Sequence, residues 1–146
     1  MDLSEIAHSA AELYEPVAEE RGFVLSVVTK PRVTIRGDRH LLSQAVANLL
    51  DNALKYAGGG EIEVLVFASN ERAVLEVADH GPGVPEADRE SVFDRFVRLE
   101  PSRTTPGNGL GLSLVRAIVR RHAGSVALED NRPGLRVRLE FTKLAA

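Results

Sequence analysis

Cysteine is absent from this chain of 146 residues, which excludes disulfides and thiolate zinc sites and leaves the redox compartment unread. A basic excess is absent too. Eighteen Lys and Arg stand against 21 Asp and Glu, a net charge of -3, whereas a domain built to hold nucleic acid shows a basic footprint. No apolar run approaches the ~20 residues that a membrane helix needs. The opening Met1-Asp2-Leu3-Ser4-Glu5 is acidic and lacks a signal-peptide layout. Repeats and low-complexity tracts are missing. What remains is 44% hydrophobic and 27% charged, the profile of a soluble globular domain. The length suits one core better than two.

Leu3, Ile6, Ala7, Ala10, Leu13, Tyr14, Val17 and Ala18 recur at helical spacing. Asp2 or Ser4 suits the cap of that helix and Gly22 its end. Pro16 predicts a kink or a split. Phe23, Leu25 and Val27 alternate as a strand, and Val33 with Ile35 predicts a second short one. Gly37-Asp38 opens a long helix over 39–57, stopped by Gly58-Gly59-Gly60. Runs 61–68 and 73–78 read as an antiparallel hairpin. A Gly/Pro loop follows over 79–85, then a short helix over 86–96 and an irregular stretch over 99–108. Helix is predicted again over 109–123, ended by Gly124, and a last hairpin over 125–129 and 135–142. A few helices with five or more strands in one unit predict a two-layer α/β sandwich.

Within the long helix, Gln44, Asn48, Asn52 and Lys55 share one face. Leu42, Ala45, Val46, Leu49 and Ala53 cover another and read as core. Asparagine is a poor mid-helix residue because its amide competes for backbone hydrogen bonds. Two of them beside a lysine fit a nucleotide: an Asn carbonyl joins the oxygen shell of Mg²⁺, and Lys is a mobile charge for phosphate. A solvated helix face accounts for the same spacing equally well. Asp79-His80-Gly81-Pro82-Gly83 places an acid at a strand end beside two glycines. Such backbone lets a flat ligand come close, and a carboxylate suits the exocyclic amine of adenine. An ordinary turn has the same composition. Gly107-Asn108-Gly109-Leu110-Gly111-Leu112 opens a helix, where free N–H groups and the dipole favour phosphate. It is neither a Walker A loop nor a dinucleotide fingerprint. Phe93 and Phe96, one turn apart, read as a small hydrophobic anchor. Arg98 and Arg103 beyond them reach phosphate from a lid or are solvated.

Together, in order and spacing, these segments resemble the GHKL ATP-binding superfamily over about residues 3–143. Asn48-Leu49-Leu50-Asp51-Asn52-Ala53-Leu54-Lys55-Tyr56 resembles its N box and Asp79-x-Gly81-x-Gly83 its G1 box. Phe93 and Phe96 resemble the F box, and Gly107-x-Gly109-x-Gly111 the G2 box. The F box and short lid point to the sensor histidine kinase branch. The resemblance implies the Bergerat fold: a two-layer α/β sandwich whose mixed, mostly antiparallel five-stranded sheet carries helices on one face. It implies ATP and Mg²⁺ as ligands. Asn48 then binds Mg²⁺, and Asn52, Lys55 and Tyr56 touch the nucleotide. Asp79 reads adenine beside Gly81, Gly83 and Val84. Phe93 and Phe96 anchor the lid, Arg98 and Arg103 meet phosphates, and Gly107, Asn108, Gly109, Leu110, Gly111 and Leu112 wrap the triphosphate.

The acceptor of such a kinase is a histidine usually followed at once by an acid. Ser9, Leu41, Gly81 and Ala123 follow the four histidines His8, His40, His80 and His122. Their scatter also argues against a metal cluster. The chain therefore reads as a fragment. Residues 1–22 form a helix leading in from an absent dimerisation domain, and 23–146 form the catalytic domain. Gln44 stands where ATP-hydrolysing relatives place an acid, and an amide is no base, so slow hydrolysis is expected. The implied partners are the histidine-bearing dimerisation domain and a downstream response regulator, with no nucleic acid. The fragment is expected to be monomeric and cytoplasmic, and its parent anchored to a membrane. An anti-sigma-type serine kinase and a non-catalytic nucleotide-binding module are the alternatives.

Overall fold

Two hydrophobic periods, 3.6 and 2, organise residues 1–30, 33–56, 60–81, 111–131 and 134–144, which are the residues the computed structural model describes. They form α1 (Leu3–Glu20), β1 (Phe23–Thr29), α2 (Arg39–Tyr56), β2 (Gly60–Ser69), β3 (Arg72–Ala78), α3 (Gly111–Arg121), β4 (Ser125–Asp130) and β5 (Leu135–Thr142). Asp2 caps α1 by accepting the Ser4 amide at 2.9 Å, which satisfies one of the orphan donors of the first turn. Asp38 does the same for α2, taking the Leu41 amide at 3.1 Å.

Pro16 does not split α1, which runs through it from Leu3 to Glu20. It sits on the exposed face. The buried face, Leu3, Ile6, Ala7, Ala10 and Ala18, is packed into the core and holds the helix together across the proline.

The strands make one sheet in the order β1-β2-β3-β5-β4. β1 and β2 are parallel, and the other three neighbours are antiparallel. The parallel pair needs a crossover, which α2 supplies. The register sets Val27, Val64, Val77, Val137 and Leu128 in one row, with the Leu25–Ile62 pair on the same face. α1, α2 and α3 cover that face, and their apolar stripes close a single core. The opposite face carries Val24 and Val28 exposed at one edge, and charges from Glu63 across to Glu129.

The predicted strand at Val33 and Ile35 is a single bridge instead, Asp2 with Thr34. Both side chains are buried, but the segment is shared between the two ends of the chain. Leu3 N–H donates to Val33 O at 2.8 Å, Ile35 N–H to Met1 O at 3.0 Å, and Leu144 N–H to Thr34 O at 2.9 Å. The predicted short helix over 86–96 and the irregular stretch over 99–108 lie outside the described residues. Among the described residues, no helix is long and apolar enough to cross a membrane.

Candidate functional site

β3 ends at Ala78, so Asp79 is the first residue beyond the sheet. Its Oδ1 accepts the Gly81 amide at 3.0 Å, an Asx turn, and the Leu135 amide at 3.2 Å. Among the described residues, Oδ2 accepts no hydrogen bond. Within the described residues the carboxylate is therefore held through Oδ1 alone. Its main chain is fixed as well. The Asp79 N–H donates to Leu135 O at 2.9 Å, and Asp79 O accepts from Asn131 Nδ2 at 2.7 Å. Gly134, at φ +115°, lies so close that a Cβ there would stand 1.9 Å from Asp79 O.

Behind this turn a chain of charge crosses the outer face of the sheet. Asn131 Oδ1 accepts from Arg136 Nη2 at 3.1 Å. Arg136 Nη1 donates to Glu76 Oε1 at 2.9 Å, and Arg138 Nε donates to Glu76 Oε2 at 2.6 Å. Arg138 also meets Glu129 at 3.0 Å. Glu76 is 1% exposed, which an ionised carboxylate tolerates only when both oxygens are satisfied. Its hydrogen bond holds the Arg138 guanidinium above its ordinary pKa, against the opposing effect of burial.

The polar stripe of α2 is half-buried at Asn48 and Asn52 and exposed at Gln44. α2 packs on β3 and α3 packs on α2, so the stripe, the strand that ends at Asp79 and the first turn of α3 belong to contiguous elements. Lys55 Nζ pairs with Asp51 at 2.8 Å within the helix. Tyr14 of α1 faces this pair. Burial pushes its phenol pKa up, Asp51 adds to that, and Lys55 pulls it back. Tyr56 is the last residue of α2, Gly111 the first of α3, and Leu112 packs half-buried against the core. Gly83, Val84, Phe93, Phe96, Arg98, Arg103, Gly107, Asn108, Gly109 and Leu110 lie outside the described residues.

Asn131, Gly134 and Arg136 are the residues that sequence reasoning missed, having read 131–134 as an ordinary hairpin turn. Glu76 was missed too, though one acid inside the apolar run 73–78 was the available signal. Histidine scatter argued against a metal cluster. The fold nevertheless brings Glu61, Glu63 and His80 together, their ligand atoms within 4.8 Å, with His80 Nε2 at 3.6 Å from Glu63 Oε1. This exposed group sits on the outer face, and exposed carboxylates commonly gather there without an ion.

Comparisons with known proteins show the family and the fold. The family described as histidine kinase-, DNA gyrase B-, and HSP90-like ATPase matches residues 37–145. The signal transduction histidine-protein kinase/phosphatase MprB of Mycobacterium sp. (strain KMS) is 38% identical over 136 residues, 92% of this chain and 26% of that protein. The sensor protein CiaH of Streptococcus pneumoniae is 40% identical over 123 residues, 82% of this chain and 28% of that protein. The chain thus spans about a quarter of the length of the curated relatives it matches. Among solved structures, the mycobacterial sensor histidine kinase MprB superposes with a TM-score of 0.84 at 30% identity, covering 100% of this chain and 97% of that one. The nucleotide-free catalytic domain of the histidine kinase ThkA gives 0.86 at 25% identity, over 98% and 93% of the two chains. Full-length ShkA in complex with AMPPNP gives 0.86 at 30% identity, over 100% of this chain and 31% of that one.

Proposed function

Since this chain belongs to the histidine kinase-, DNA gyrase B-, and HSP90-like ATPase family and has the fold of a sensor histidine kinase catalytic domain, we propose that it binds ATP at Asp79 and delivers the γ-phosphoryl group to a histidine on a separate dimerisation domain. The observation that carries the reading is the asymmetry of the Asp79 carboxylate. Oδ1 is taken by two backbone amides, which leaves Oδ2 to accept the exocyclic amine of adenine. Burial of Gly81 beside it suits a flat base, because no side chain intervenes. The AMPPNP held by the similar ShkA structure supports a triphosphate ligand.

The half-buried amides of Asn48 and Asn52 fit a hard cation shared with phosphate oxygens. Asn48 would hold Mg²⁺, and Asn52 and Lys55 would meet the phosphates. The ion supplies charge neutralisation at the triphosphate when bound. Lys55 is preset by Asp51, so phosphate competes for it with a carboxylate already in place. Gln44 offers no base for water, which protects the γ-phosphate for transfer. α1 serves as the connection from the acceptor-bearing domain, and a response regulator takes the phosphoryl group onward. The domain works on the cytoplasmic side of a membrane-anchored parent.

Calorimetric titration of ATP with and without Mg²⁺ tests this. Wild type binds in about the micromolar range or weaker. Asp79→Asn loses about tenfold or more, the usual effect of removing a hydrogen bond to a charged group, since either orientation of its amide sets a donor against a donor. Unchanged affinity in that variant would sink the assigned pocket. Asn48→Ala loses the gain from Mg²⁺ more than it loses nucleotide affinity, and an equal gain in both proteins refutes its role.

A further inference from the structure

A carboxylate that distinguishes an amine from a carbonyl must point in a fixed direction, because hydrogen bonds weaken steeply off axis. Besides the Gly81 amide on Oδ1, the described contacts on Asp79 converge from residues 131–135. Leu135 holds its amide and its Oδ1, Gly134 abuts its carbonyl, and Asn131 holds that carbonyl from the side. Among the described residues, Asn131 contributes the one side chain to this set. Its orientation is fixed by chemistry: Asp79 O only accepts and Arg136 only donates, so Nδ2 must face the first and Oδ1 the second. Arg136 is in turn locked on the buried Glu76.

We propose that Asn131 is a positioning residue that sets base specificity, holding the Asp79 main chain from the β4–β5 connection so that Oδ2 meets an adenine amine. The proposal rests on the reading of Asp79 as the base acceptor. Asn131 touches no nucleotide itself. It transmits the rigidity of the Glu76–Arg136 pair on the outer face of the sheet to the end of β3.

The test compares ATP with inosine triphosphate, which carries a carbonyl where adenine carries its amine. Wild type prefers ATP. Asn131→Ala narrows that preference by roughly three- to tenfold, the range for one lost hydrogen bond, by weakening ATP and leaving inosine triphosphate nearly unchanged. Asn131→Asp is isosteric and keeps the Arg136 contact, but turns an oxygen toward Asp79 O. It narrows the preference at least as far, with a wild-type far-UV circular dichroism spectrum, and it decides the matter if the alanine variant fails to fold. A merely structural role lowers both affinities together and leaves the ratio alone. Asp79→Asn is run beside them. If it abolishes the preference while both Asn131 variants retain the wild-type ratio, the positioning role is overturned and the Asp79 reading stands. If Asp79→Asn itself keeps the preference, the Asp79 reading falls and takes this proposal with it.

Discussion

Gly134 shows how much one residue's backbone decides here. Its φ of +115° is open to glycine and strained for other residues, and a Cβ would fall 1.9 Å from Asp79 O. Gly134→Ala must therefore move either the turn or Asp79. We expect a loss of about 2–3 kcal/mol of stability in urea unfolding, together with weaker ATP binding. A loss under about 0.5 kcal/mol, the scale of an ordinary surface change, would mean that the two segments separate without penalty. Asp79 and Gly81 were legible in the sequence because their bond is local, two residues apart. Gly134, Asn131 and Glu76 were not. Their partners lie on other strands, more than fifty residues away for Asn131 and Arg136, and only the register of β3 on β5 brings them together. Glu76 looks like a solvent-facing alternate until Arg136 and Arg138 close over it.

Among the elements, α1 most clearly separates local propensity from packing. Its proline lacks the N–H that would bond one turn back, and an interior proline costs ~3 kcal/mol. Yet the helix is continuous, because its buried stripe is fixed against α2 and β1. Restoring the amide with Pro16→Ala should raise stability by about 2 kcal/mol, the helix gain reduced by the extra freedom of the unfolded chain. The same urea titration reads it, and a drop in stability would show that α1 gains from the restriction that proline puts on the unfolded chain. The end of α3 carries a second lesson. Gly124 was expected to stop the helix, but the left-handed residue is Ala123, at φ 57°. Gly124 is glycine for want of room, with Glu140 O 2.5 Å from any Cβ. Composition marked the boundary and packing explains it.

For the whole molecule, the order β1-β2-β3-β5-β4 was beyond sequence patterning, though the five strands were not. Alternation identifies a strand and its faces, while pairing depends on where long connections return. The segment at Val33–Ile35 is the sharpest case. It alternates like a strand but accepts from both ends of the chain at once, from Met1, Leu3 and Leu144, and donates to Met1. Such shared bonds open as one unit. Native-state hydrogen exchange should give Leu3, Ile35 and Leu144 amides opening free energies within about 1 kcal/mol of one another. Leu144 exchanging far ahead of the other two would show the C-terminal strap fraying independently.

Tyr14 against the Asp51–Lys55 pair has an optical consequence. Tryptophan is absent and tyrosine occurs only at 14 and 56, so ultraviolet emission comes from two phenols, one of them seated beside charges that a triphosphate would rearrange. Native fluorescence becomes a label-free gauge of Lys55. Titrating ATP should change the emission of wild type; the share that Tyr14→Phe removes reports the Asp51–Lys55 pair and the remainder reports Tyr56, while calorimetry still shows binding.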